Sequence, residues 1–110
     1  MKIPKETEQK IFQLQLLEQN MQQIAMQKQT FQAKLLEVNN ALEEIKKTKD
    51  KVYKVVGNIM VLSDKKETET DLKSKKEVLD VRFKNLESQE GKLKEKAESI
   101  QKEVLKKLKK

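Results

Sequence analysis

Lysine and the carboxylates hold nearly all the side-chain chemistry available to this chain, which has 25 basic and 18 acidic residues and a net charge of +7. There is no histidine and no cysteine. That removes the common base–nucleophile pairs, the thiol reactions and the usual zinc ligand sets. The acidic residues recur at helix-surface spacing, and no glycine-rich phosphate loop occurs. The chain is therefore read as a non-enzyme with no metal and no cofactor. What remains is ion pairing between lysine and carboxylate, and adhesion between apolar side chains.

Two charged residues stand out because of where they fall. In a heptad frame, Leu14, Leu17, Met21, Ile24, Lys28, Phe31, Leu35, Val38, Leu42 and Ile45 take the a and d positions, and only Lys28 is polar. A second ladder runs through Leu72, Lys76, Leu79, Phe83, Leu86, Glu90, Leu93, Ala97, Ile100 and Val104, with Lys76 and Glu90 as its polar members. Seventeen of these twenty positions are apolar, where the chain's 35% hydrophobic content would give about seven. Steps of three and four sustained over five heptads mark a coiled coil. Lys28 and Glu90 fall in neighbouring layers of an antiparallel pairing and are predicted to pair, setting the register.

The positioning elements follow from this spacing. One helix is expected over about residues 5–48, opened by Pro4, whose missing N–H is no loss at a first turn. A second is expected over about residues 65–109, with Asp64 as N-cap and Glu67 at the third helical position. Each would be about 65 Å long at ~1.5 Å per residue. Residues 46–71 are too few to return the chain for a parallel arrangement, so the helices should be antiparallel.

Between the helices, Val52-Tyr53-Lys54-Val55-Val56 and Ile59-Met60-Val61-Leu62 flank Gly57-Asn58. β-Branched and aromatic residues around a central Gly-Asn predict a hairpin over about residues 52–62 with a type II′ turn, Gly57 supplying the positive φ. Val56 would then face Ile59, Val55 face Met60, Lys54 face Val61 and Tyr53 face Leu62. One side carries Tyr53, Val55, Met60 and Leu62; the other carries Val52, Val56, Ile59 and Val61. A two-stranded hairpin is marginal in water, and this one is apolar on both sides. Its sheet should be completed by strands of other subunits, with these residues forming the assembly surface. The fold class expected is mainly α: a long antiparallel two-helix coiled coil, one domain over residues 1–110, whose hairpin insert joins an intersubunit sheet.

Helix, hairpin and helix in a chain of this length resemble the beta-type prefoldin subunits of archaea. The segment Val52-Tyr53-Lys54-Val55-Val56-Gly57-Asn58-Ile59-Met60-Val61 carries most of the likeness. Gln27-Lys28-Gln29-Thr30, Ala41-Leu42-Glu43-Glu44 and Gln89-Glu90 support it. The run from Ala41 to Asp50 is more basic than the family's pattern. A single hairpin points to the beta type. The resemblance implies a hexamer of two alpha-type and four beta-type subunits, with hairpins closed into a double β-barrel. It also implies capture of unfolded client proteins at the coiled-coil tips without ATP, and their delivery to a group II chaperonin. A cytoplasmic location is the default expectation for a chain that opens with no apolar signal core.

Both termini should lie at the end remote from the hairpin. Ile11, Phe12, Leu16, Leu105 and Leu108 fall off the seam there, Ile3 adds to them, and Leu14 and Val104 sit where the last turns would fray. These eight are the expected client-binding residues, each contributing about 1.5–3 kcal/mol when fully buried by a client. The lysines from Lys102 to Lys110 could attract acidic segments, or could act as a solubilising tail at a helix C-terminus. Two other readings rest on the lysines and on the coil alone: a basic nucleic-acid-binding coiled coil, and a tethering protein. A single arginine, Arg82, and 4% aromatic content argue against nucleic acid. No membrane contact is expected, because the longest apolar stretch is far shorter than the roughly 20 residues of a span.

Overall fold

A computed structural model describes residues 3–108. Helix α1 spans Lys5–Lys47, strand β1 Val52–Val56, strand β2 Ile59–Ser63 and helix α2 Lys65–Leu108. The expected end of the second helix, Lys109, lies outside the described residues, as do Met1, Lys2 and Lys110. Helix α1 ends one residue earlier than its sequence suggests, at Lys47. The Thr48 amide and hydroxyl both donate to the Glu44 carbonyl, at 3.0 and 2.7 Å. Lys65 Nζ in turn donates to the Thr48 carbonyl at 2.9 Å, meeting one of the helix's orphan acceptors with a cation. At the other end, the Pro4 carbonyl accepts the Thr7 and Glu8 amides.

The chain divides into two compact units: Thr30–Phe83, and the residues up to Gln29 together with those from Lys84 onwards. In the first, Val38, Leu42 and Leu79 are buried against one another, with Phe31, Leu35 and Leu72 packed around them. In the second, Leu17, Ile24, Leu86 and Val104 are buried. Within it, Lys10 and Lys28 of α1 meet Glu103 and Glu90 of α2 respectively, so the partner numbers fall as the helix advances. The helices are antiparallel. All twenty ladder positions are buried or half-buried, as the removal of an apolar stripe from water demands.

The hairpin register is Val52↔Ser63, Tyr53↔Leu62, Lys54↔Val61, Val55↔Met60 and Val56↔Ile59. Gly57 has φ of 61°, and no other described residue has positive φ. With Asn58 at negative φ, the turn is type II′ and not I′. A Cβ at Gly57 would meet open space, so the backbone angle, not crowding, calls for glycine.

Candidate functional site

Besides Met26, Leu36, Val78 and Val81, which stand exposed along the coil, two surfaces of this chain carry apolar side chains that its own fold does not cover. The first is the hairpin. Strand alternation sends Tyr53, Val55, Met60 and Leu62 to one face and Val56, Ile59 and Val61 to the other, and all seven are exposed. Val55 and Met60, a cross-strand pair, keep 68% and 67% of their surface in water. Val52 is half-covered. Lys54 Nζ lies 4.0 Å from Asp71 Oδ2, a solvent-exposed pair too weak to fix the hairpin against α2. Two strands are the whole sheet among the described residues. Their outer edges therefore present unpaired backbone groups beside bare apolar side chains.

The second surface lies near the chain ends. Phe12 is 59% exposed, and Ile3, Leu16, Leu105 and Leu108 are exposed too. Ile11 and Leu14 are half-buried, and Val104 is buried at 7%. Leu14 and Val104, expected to reach a client only where the last turns fray, are thus covered in the paired helices. Helix α2 continues to Leu108, and the seam continues past Leu14 through Lys10, half-buried, to Thr7, fully buried. Those two extra layers are polar, which is why an apolar ladder read from sequence stops at Leu14. The Thr7 hydroxyl is buried without a hydrogen-bond partner among the described residues. A buried, unsatisfied hydroxyl costs stability and makes this layer weaker than an apolar one.

Ion pairs take over where apolar layers end. Lys10 pairs with Glu103, and Lys107 Nζ lies 3.2 Å from Glu6 Oε2. The hydrogen bond and positive charge of Lys10, assisted by the charge of Lys107, hold the Glu103 carboxyl below the usual carboxylate range. Neither pair was legible beforehand, because the polar ends of the ladders give no register. Lys28 and Glu90 are brought together as well: Nζ stands 3.1 Å from Oε1, both side chains partly covered. Here the sequence did carry the signal, two opposite charges on two otherwise apolar ladders.

These surfaces can bind apolar matter, and no described group of acidic residues is placed to hold a metal ion. Residues 8–110 match the family described as prefoldin subunit. The prefoldin subunit beta of Archaeoglobus fulgidus is 40% identical over 103 residues, covering 91% of this chain and 89% of that protein. The chain belongs to the prefoldin subunit family. Its beta-type relative from Thermococcus onnurineus is 38% identical over 104 residues, covering 93% and 90% of the two chains. The crystal structure of the prefoldin beta subunit from Thermococcus strain KS-1 superposes with a TM-score of 0.87 at 36% identity, covering 94% of this chain and 92% of that one. Prefoldin subunits are chaperone subunits, not enzymes, and associate with other prefoldin subunits. No described helix of this prefoldin subunit is long and apolar enough to cross a membrane.

Proposed function

We propose that this prefoldin subunit is part of an ATP-independent holdase: it captures unfolded proteins at its coiled-coil tip and passes them to a group II chaperonin in the cytoplasm. It acts as one prefoldin-like domain over residues 1–110, a span supported by the family match over 8–110. The assembly is a hexamer of two alpha-type and four beta-type subunits. Val52, Tyr53, Val55, Val56, Ile59, Met60, Val61 and Leu62 supply the subunit contacts, and Gly57 the turn. Uncovered apolar side chains on both hairpin faces support this, since a neighbouring sheet is what removes them from water.

The observation that carries the capture reading is the exposure of Ile3, Phe12, Leu16, Leu105 and Leu108 near the two chain ends. Each is weak alone. Several on separate arms of one complex add by avidity while staying reversible, which suits a carrier that must release its load. Ile11, Leu14 and Val104 would contribute only when the last turns of the helices part.

The test is a triple substitution, Phe12→Ser, Leu105→Ser and Leu108→Ser, in the complex with an alpha-type subunit. Suppression of light scattering by a denatured protein diluted from guanidinium, without ATP, should be lost while the sedimentation mass stays at the hexamer. Undiminished suppression by an intact hexamer refutes the tip as the client surface.

A further inference from the structure

A shallow groove of about 400 Å³ opens beside the apolar cluster of the Thr30–Phe83 unit. Phe31 and Leu79 contribute to its apolar floor, and Val78, 53% exposed, stands at its margin. Three cations line it: Lys34, Lys75 and Arg82. Lys34 Nζ sits 5.8 Å from the centre of the Phe31 ring, which leaves its charge available to a further partner. Neither Lys75 nor Arg82 has an ion-pair partner among the described residues, and Glu37, the one acid of the lining, pairs with none of the three.

We propose that this groove docks an acidic amphipathic helix of a partner protein, one presenting two carboxylates two turns apart with an apolar side chain between them. The spacing comes from α2 itself. Lys75, Val78 and Arg82 share one helix face, and Lys75 and Arg82 are seven residues apart, about 10.5 Å along the axis at ~1.5 Å per residue. A helix laid alongside brings carboxylates at i and i+7 to those two cations and an apolar residue at i+3 or i+4 onto Val78, the mode by which amphipathic helices enter grooves. Arg82, the chain's only arginine, offers the planar fork that engages a carboxylate with two hydrogen bonds. Charge argues for an acidic partner over a second copy of this chain, which would bring its own +7 against a cationic groove. The inference goes beyond client capture: the groove holds a folded helix of defined charge pattern, and no tip residue takes part.

Fluorescence anisotropy with the full chain tests it. The probe is a fluorescein-labelled synthetic helical peptide with Glu at two positions seven apart and Leu between them; a scrambled peptide of the same composition is the comparison. Lys75→Glu with Arg82→Glu should raise the Kd at least tenfold, Val78→Asn should raise it severalfold, and Glu37→Gln should lower it, all with the helical circular dichroism unchanged. If the double charge reversal unfolds the chain, the opposed shifts of Val78→Asn and Glu37→Gln decide. Equal binding of the scrambled peptide, or equal competition by polyglutamate of the same charge, would reduce the groove to an anion attractor and overturn the proposal. So would a change in the sedimentation mass of the free chain on Val78→Asn, which would mean that copies of the chain already occupy this face.

Discussion

Val38, Leu42 and Leu79 are buried against one another in the coil, whereas Val55, Met60 and Leu62, of the same apolar kind, stand open on the hairpin. The difference lies in who supplies the other half of the core. A ladder of alternating three- and four-residue steps gives each helix one stripe, and the same chain provides the stripe that covers it. Strand alternation instead sends apolar side chains to both faces of a two-stranded sheet, and no other described residue buries them. The coil thus covers its own seam, while the hairpin leaves both of its faces uncovered.

Leucine-to-alanine substitution in the two regions separates them most strongly. Leu42→Ala should lower the unfolding free energy by about 2–5 kcal/mol, read from the loss of helical signal in denaturant, because it leaves a cavity in a packed layer. Leu62→Ala should change the isolated chain by less than about 0.5 kcal/mol, since its side chain is already in water. Comparable losses for both would erase the distinction.

A smaller effect sharpens the picture of the seam. Glu90→Lys sets two cations across from each other and should cost about 1 kcal/mol; Lys28→Glu together with Glu90→Lys should recover most of it. An unrescued double swap would show that the pair does not set the register. Thr7→Val should raise the melting temperature by an amount equivalent to about 1 kcal/mol or less, as it removes a buried hydroxyl without a partner. A fall in melting temperature would mean that this hydroxyl is satisfied.

The smallest expected effect is with pH. Glu103 is depressed in the folded chain by Lys10, so its contribution is present above the ordinary carboxylate pKa and is lost as pH falls through the folded value. The acid limb of a stability–pH profile should therefore flatten slightly in Glu103→Gln and in Lys10→Met. Profiles that overlay the wild type below pH 4 would remove the pair from the account.

How much of this was legible in the sequence depended on whether a residue's surroundings were set by its own periodicity. The ladders were, so all their positions came out covered, and the Val-Tyr-Lys-Val-Val and Ile-Met-Val-Leu segments around Gly57-Asn58 fixed the hairpin register residue by residue. The chain ends were not. Lys10 and Thr7 continue the seam with polar side chains, so a ladder defined by apolar residues begins only at Leu14, one turn after Lys10. Leu14 and Val104, the outermost ladder positions, are themselves covered. The cationic groove was invisible for a related reason. Lys34 on one helix and Lys75 and Arg82 on the other, 41 and 48 residues further along the chain, line one groove only once the two helices are paired in register.

Sedimentation of the chain mixed with an alpha-type prefoldin subunit, as wild type and as Val55→Asp, tests the central contrast most directly. The account predicts a complex of two alpha and four beta subunits for the wild type. For Val55→Asp it predicts dimers or monomers that keep full helical signal, because the charge spoils the hairpin surface and leaves the coil untouched. A hexamer that survives Val55→Asp, or a wild-type chain that stays a monomer beside its partner, would contradict it.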